Sequence, residues 1–228
     1  MKQVVTQAIV LSRIDYGETD RIVTLLTSSV GKVTAIAKGV RKPKSRMAGG
    51  IELFSVNNIV YIDGKSEMKT LISTRLTTHF GDITKQLSRS LLGYDILKYT
   101  HLYTESVCEN EYFDVLKLAL EALNNASIPE SLVWLWFGVH LLHISGHAIN
   151  VVTSADGSHM QSSERFIFDY ENMAFIAHAQ GEFSSRHIKL IRLSQTANPT
   201  KLLQISDVSN IAAEVTNLIT DCLKYGTH

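Results

Sequence analysis

The hydrophobic period of this chain changes once, near residue 80, and the change divides what its two parts can become. Before it, apolar and polar residues alternate in short runs, the two-residue period of a half-buried strand. Residues 4–14 form one run, Arg21–Thr27 a second and Lys32–Lys38 a third, after a turn at Ser28-Ser29-Val30-Gly31. Val33, Ala35 and Ala37 alternate with Thr34, Ile36 and Lys38, so the third strand is predicted to have two unlike faces. Residues 51–62, broken at Asn57-Asn58, make a fourth run, and Asp63-Gly64 turns the chain into a fifth, Glu67–Leu76.

Five short strands with tight turns and no helix between them predict a small closed barrel. The five-stranded OB barrel is the expected form, and its open face commonly binds single strands of nucleic acid.

After residue 80 the spacing is helical. Ile83, Leu87, Leu91, Tyr94 and Leu97 are predicted to line one face of a long helix, and Phe113, Leu116, Leu120 and Leu123 a second. Ser127 and Glu130 have capping-box spacing. The helix they open is apolar nearly all round and runs to Gly146, as a central bundle helix would. The period is then lost, with a short hairpin expected at Phe166–Phe168 and Ala174–Ala177. Another helix is expected from about Ser185. A last one from near Ser206 carries Val208, Ile211, Ala212, Val215, Leu218, Ile219 and Cys222 on one stripe and stops at Gly226. The expected class is therefore α+β: an OB barrel over residues 1–80, then an α-helical bundle over 81–228 with an irregular insert at 147–184.

Charge follows the same boundary. The chain has 22 basic and 22 acidic residues, yet residues 1–80 hold 12 Lys/Arg and 6 Asp/Glu, leaving +6, and residues 81–228 hold 10 and 16, leaving −6. The first part is thus suited to a polyanion. Lys38, Arg41, Lys42, Lys44 and Arg46 place five positive charges in nine residues, in A-I-A-K-G-V-R-K-P-K-S-R. Gly39 and Pro43 keep this segment irregular, so its side chains can fan outward. Phosphate neutralisation is the expected role, with Arg13, Arg21 and Lys32 extending the patch. A merely solvated basic loop is the plainer alternative.

Composition narrows the setting. With 45% apolar and 19% charged residues, the chain has the make-up of a soluble globular protein. No apolar run reaches the ~18 residues of a membrane span. The first ten residues lack the apolar stretch of a secretory signal, and Cys108 and Cys222 stand far apart, which together point to a reducing cytoplasm.

Catalytic motifs are few. Asp15, Glu18 and Asp20 beside Arg21 could be read as a two-metal nuclease cluster, but they fall at a strand–turn–strand connection, where acids commonly brace turns. There is no phosphate-cradling glycine loop and no nucleophile elbow. No enzymatic activity and no cofactor are expected. Tyr16 is a candidate for stacking on bases, whereas Phe54 and Tyr61 read as core.

The order and spacing of A-I-V-L-S-R-I-D-Y-G-E-T-D-R-I-V-T-L-L-T, then G-K-V-T-A-I-A-K-G-V-R-K-P-K-S-R, then E-L-F resemble the N-terminal part of the RecO family of bacterial recombination mediators. A weaker likeness continues through Y-D-I-L-K, Y-F-D-V-L-K-L-A-L-E-A-L and F-G-V-H-L-L-H-I-S-G-H. The resemblance implies an OB domain followed by a helical domain. It implies binding of single- and double-stranded DNA, strand annealing, and loading of RecA onto DNA coated by single-stranded DNA-binding protein. RecR and the acidic C-terminal tail of that coating protein are the implied partners, and a cytoplasmic, nucleoid-associated location follows. Lys38, Arg41, Lys42, Lys44 and Arg46 occupy the family's basic motif and inherit its DNA-contact role.

Many RecO proteins carry a four-cysteine zinc module after the central helix. Residues 149–186 contain no cysteine, so that thiolate site cannot form here. His140, His143 and His147 share a helix face and His159, His178 and His187 follow, leaving a histidine-only site open beside the plainer reading of core or interface histidines. No metal is expected. Arg186, Lys189 and Arg192, spaced three apart, could with Lys98 take an acidic peptide tail or simply form a solvated face. The barrel and its basic loop would equally suit an OB-fold RNA-binding module.

Overall fold

A computed structural model describes residues 2–104, 110–152 and 165–226 of the chain. These fall into two compact units, Met1–Asn124 and Asn125–His228.

The first unit is built on strands β1 (Lys2–Tyr16), β2 (Asp20–Thr27), β3 (Gly31–Ala37), β4 (Ser55–Asp63) and β5 (Lys69–His79). They close a barrel in the order β1-β2-β3-β5-β4, the OB topology. Closure depends on the long β1. Residues from Lys2 to Ile9 pair with β4, and those from Ala8 to Tyr16 pair with β2. Its register slips between Val10 and Ser12, a bulge of the kind that bends a strand around a barrel. A parallel pairing of Ala35, Ile36 and Ala37 with Lys69, Thr70 and Leu71 seals the other seam. The interior is filled by Ala8, Val10, Val23, Leu25, Val33, Ala35, Ala37, Ile59, Tyr61 and Leu71. The inward residues of β3 are those that the alternation predicts. Tyr61 and Phe54 are buried, as expected.

Asn57 and Asn58 do not break the fourth strand. Asn57 is buried and its Nδ2 donates to Ser55 Oγ at 2.9 Å, and the chain absorbs the polar residue with a register slip between Val56 and Asn57.

Helices α1 (Leu87–Tyr103) and α2 (Asn110–Asn124) belong to the same unit as the barrel. The reason lies in β1 and β2. Ile9 and Leu26, opposite one another in register, alternate away from the interior yet are fully buried, because the two helices lie on that face. The strand-to-helix change thus falls at residue 80, while the compact units divide at Asn124. On α2 the predicted stripe Phe113, Leu116, Leu120 and Leu123 is buried. Of the stripe predicted for the first long helix, Ile83 and Leu97 are buried as expected, but Leu87, Leu91 and Tyr94 are 77%, 56% and 53% exposed. Beside Leu97, the buried face of α1 is made by Arg89, Gly93, Ile96, Tyr99 and Thr100. Arg89 reaches the end of α2, donating to the Leu123 carbonyl at 2.5 Å, and so takes a place that hydrophobicity alone assigns to leucine.

At Gly93 α1 packs tightly against Phe54, just ahead of β4. A Cβ there would lie 2.7 Å from Cε1 of Phe54, which itself holds a left-handed backbone at φ 57° and meets Tyr94 edge-on at 5.4 Å.

In the second unit, α3 (Glu130–Ile144) is the central helix, with Leu132 to Val139 buried without interruption. Its polar atoms find partners: Trp134 Nε1 donates to Thr220 Oγ1, Trp136 Nε1 to the Ala197 carbonyl, and His140 Nε2 to the Ser194 carbonyl. The expected capping box does not form. Pro129 is the N-cap residue, and the Ser127 hydroxyl donates to Asn125 Oδ1 at 2.8 Å. The insert contains β6 (Arg165–Asp169), β7 (Ala174–Ala177) and β8 (Phe183–Ser184) in one antiparallel sheet, as the hairpin expectation required. Phe166, Phe168, Phe175 and Phe183 meet edge to face in it, a small aromatic cluster in the insert. Then follow α4 (Ser185–Ser194), α5 (Pro199–Leu202), α6 (Val208–Glu214) and α7 (Thr216–Tyr225). The predicted final helix is thus two helices broken at Val215, although every residue of its apolar stripe is buried.

Replacing Gly93 with Ala should overpack the Phe54 contact and lower the stability of the first unit by about 1–3 kcal/mol, read as a shift in the urea midpoint. An unchanged midpoint would mean that α1 does not rest on Phe54.

Candidate nucleic-acid interface

The basic stretch leaves the end of β3 as an irregular segment, yet its backbone is tied down at several points. Gly39 adopts φ +63°, a conformation that glycine enters without the Cβ penalty. Its N–H donates to Asp20 Oδ1 at 2.7 Å. The Arg41 N–H donates to the Thr19 carbonyl at 2.9 Å. Between them Val40 is buried and joins the barrel core. Further on, the Lys42 N–H reaches the Gly39 carbonyl and the Ser45 N–H reaches the Lys42 carbonyl, giving two successive turns. The β1–β2 turn therefore acts as the seat of the basic loop.

The acidic residues of that turn serve this seat. Asp20 accepts from Gly39 and also from the Thr19 hydroxyl at 2.9 Å. The Gly39 N–H, then the Thr19 hydroxyl and the charges of Lys38 and Lys42, hold the Asp20 carboxyl below the usual carboxylate range. Asp15 accepts from Arg21 Nε at 2.8 Å and pairs with Arg41 Nη2 at 3.4 Å. The Arg21 hydrogen bond, reinforced by Arg41 and Arg13, lowers its carboxyl in the same way. Both carboxylates are thus engaged with the loop and the adjoining strand. Glu18 is exposed in the turn. The bracing expectation accounts for the two aspartates; a pair of metal-binding acids does not.

Lys38, Arg41, Lys42, Lys44 and Arg46 are all exposed. No carboxylate among the described residues forms an ion pair with Lys38, Lys42, Lys44 or Arg46. Arg41 leans on Asp15 and on the Gly17 carbonyl, an exposed pairing of the kind that contributes little and exchanges readily. The loop therefore presents a fixed backbone with cationic side chains free to meet phosphate.

The three residues expected to extend the patch are placed differently. Arg21 adjoins the loop but is held by Asp15, and Arg13 pairs with Glu52 at 2.5 Å. Lys32 is not part of the patch at all. It stands at the opposite end of β3, about 20 Å away at ~3.3 Å per strand residue, and donates to the His101 carbonyl at 3.1 Å. Alternation showed that Lys32 faces outward but not which end of the barrel the loop occupies. Tyr16 is 54% exposed at the end of β1, beside the β1–β2 turn, where a base could stack.

On α4, Arg186 pairs with Asp207 at 3.5 Å and Arg192 donates to the Val151 carbonyl at 3.0 Å through Nε. Lys189, between them, is exposed. Two of the three cations thus brace the second unit, while Lys98 belongs to the first.

Among the described residues the histidines do not gather as metal ligands. His140 is held by Ser194 and stacks on Trp136 at 4.2 Å, and burial pushes its imidazole below the usual range. His147 Nδ1 lies 3.2 Å from Ser145 Oγ. His178 Nδ1 accepts from the Gln180 N–H. His187 accepts the Ser184 N–H on Nδ1 and meets Glu214 through Nε2 at 2.5 Å. His159 and Cys108 lie outside the described residues. Among the described residues no three His, Cys, Asp or Glu side chains gather as metal ligands, and no helix is long and apolar enough to cross a membrane. Burial raises the Cys222 thiol to about 12, so this cysteine stays protonated.

Residues 1–80 match the family described as Recombination protein O N terminal, so the RecO resemblance carried by the motifs holds for the barrel as a domain. Curated relatives extend the match. The chain is 33% identical over 149 residues to the DNA repair protein RecO of Desulfatibacillum aliphaticivorans, covering 64% of this chain and 58% of that protein. It is 32% identical over 143 residues to that of Dehalococcoides mccartyi, covering 62% and 56%. The match to the Alkaliphilus metalliredigens RecO reaches further, 28% over 186 residues, covering 81% and 75%. The first two matches thus span less than two thirds of those relatives.

Because the ionised Asp20 carboxylate is the stronger acceptor for the Gly39 amide, an Asp20→Ala change should lower the hydrogen-exchange protection of the Gly39 and Arg41 amides. Its carboxyl is depressed in the folded chain, so its support is present above the ordinary carboxylate range and fades as pH falls through the lowered value. Protection of both amides, taken relative to their intrinsic exchange at the same pH, should therefore also fall as pH is lowered through that value. Equal protection in the variant and the wild type would show that the loop is seated by something else.

Proposed function

With its first 80 residues matching the RecO N-terminal domain, we propose that this chain is a non-enzymatic DNA repair protein that binds DNA through the loop Lys38–Arg46. The observation that carries this reading is the seated cationic loop: a backbone fixed by Asp20 and Thr19 beneath exposed Lys38, Lys42, Lys44 and Arg46. Fixing the backbone before binding lowers the ordering cost at the moment of contact. Lysine and arginine neutralise phosphates and release counterions irrespective of sequence, which suits a protein that must act wherever DNA is damaged.

The finer activities belong to the same proposal. Annealing needs contacts that hold a strand by its backbone while its bases stay free to pair, and a loop contacting phosphate rather than base edges meets that need. The relatives' names support a role in DNA repair; loading RecA onto DNA covered by single-stranded DNA-binding protein, with RecR and the acidic tail of the covering protein as partners, is what the RecO resemblance implies beyond that. Lys189 with Arg186 and Arg192 is the candidate contact for such a tail, and the protein would act in the cytoplasm at the nucleoid.

Changing Arg41, Lys42 and Lys44 together to Ala should weaken binding to all DNA sequences alike. It should also flatten the log–log salt dependence by up to about 3. The check is fluorescence anisotropy across a salt series with single- and double-stranded oligonucleotides. An unchanged salt slope would rule out the loop as the DNA site, and a marked preference for RNA without annealing would favour an RNA-binding role.

A further inference from the structure

The end of the barrel opposite the basic loop carries a second cationic feature. There the first residues of β1, β3 and β5 and the last of β4 surround a cleft of about 540 Å³. That volume falls within the range of small-molecule sites. Lys2, Lys32 and Lys69 line it against a single acid, Asp63, so its lining carries three positive charges and one negative. Lys69 Nζ pairs with Asp63 at 2.7 Å and also donates to the Ser66 carbonyl at 3.1 Å, which fixes its ammonium at the wall. Lys32 is fixed likewise by the His101 carbonyl. Lys2, at the start of β1, is exposed.

Between the lysines lies Tyr61, buried to 3% exposure. Burial and the charge of Asp63 raise its phenol, so the hydroxyl keeps its proton and remains a donor. Val5 and Val30, 72% and 53% exposed, give the mouth an apolar rim. Positioned ammonium groups, a protonated hydroxyl and an apolar rim suit a phosphate that carries an organic substituent.

We propose that this cleft is a second phosphate site of the barrel, taking the backbone of a nucleic-acid strand other than the one on the basic loop. The inference rests on the DNA-binding reading of that loop. Its added content is geometric. Lys32 and Lys38 stand at the two ends of β3, about 20 Å apart at ~3.3 Å per residue. Cationic sites at opposite ends of one rigid barrel hold two strands at once without competing for the same charges. Bringing two strands together is what annealing demands, and a single site supplies only one.

The test counts strands. Full-length wild type, a Lys2→Gln/Lys32→Gln variant and the Arg41/Lys42/Lys44→Ala variant are titrated with a short labelled single strand by analytical ultracentrifugation. Annealing of that strand with its complement is then timed. The wild type should bind two strands per chain. The Gln variant should bind one, anneal more slowly, and lose the salt dependence of the second binding step by up to about two log–log units. Circular dichroism melting, and the single Lys2→Gln change at an exposed site, show that any loss is not unfolding. Two strands and full annealing in the Gln variant would overturn the cleft as a site while leaving the loop reading intact. No DNA binding by the wild type would overturn the loop reading itself. Deoxythymidine monophosphate supplies the same phosphate chemistry as a free nucleotide. If it fills the cleft without displacing the second strand, the site is a nucleotide site and the proposal fails.

Discussion

The hydrogen bond between Asp20 and Gly39 is the first of the ties that make the basic segment part of the barrel. Asp20, the first residue of β2, accepts the N–H of Gly39 at 2.7 Å. Gly39 can present that N–H because it enters the left-handed region at φ +63° without steric cost. A segment without such ties would be a flexible charged tether, and each phosphate contact would have to order backbone as well as side chain. With them, and with Val40 buried in the barrel core, the segment becomes part of the barrel surface. The cations then stand at fixed roots, and only their side chains remain to be ordered by a ligand. Asp15 extends the same logic by joining Arg21 on the strand to Arg41 on the loop.

The rest of the first unit keeps that seat rigid. β1 pairs with β4 over Lys2–Ile9 and with β2 over Ala8–Tyr16, and β2 pairs on its other side with β3 from Arg21 onward, so the turn holding Asp20 grows directly out of paired barrel strands. The outer face that a free barrel would expose at Ile9 and Leu26 is covered by α1 and α2, so these helices stabilise the barrel as much as they follow it. The second unit solves a different problem. The described part of its insert is held by ring contacts among Phe166, Phe168, Phe175 and Phe183.

Much of this was legible in the sequence, and the failures have physical causes. Alternation at Val33, Ala35 and Ala37 identified the inward face of β3, because strand sidedness is a local property. The stripe on α2 could be read for the same reason. The stripe on α1 was legible only in part: Leu87, Leu91 and Tyr94 are exposed, while Arg89 and Gly93 face inward. An arginine whose charge is satisfied by a helix-end carbonyl, and a glycine chosen for close approach to Phe54, carry no hydrophobic signal. The break at Val215 was hidden because the apolar spacing continues across it. At the candidate site, the charges of the loop were plain and the bracing aspartates were readable from the turn. The placement of Lys32 was not, since its distance from the loop is set by the direction in which β3 crosses the barrel.

The central claim is that DNA phosphate meets this protein at residues 38–46. Photocrosslinking of the full chain to single-stranded DNA, with the attached peptides identified by mass spectrometry, tests it most directly. The account predicts that the dominant crosslinked peptide contains Lys38–Arg46, with Tyr16 as the neighbouring aromatic contact. Crosslinks confined to residues 125–226, with none in 38–46, would contradict it.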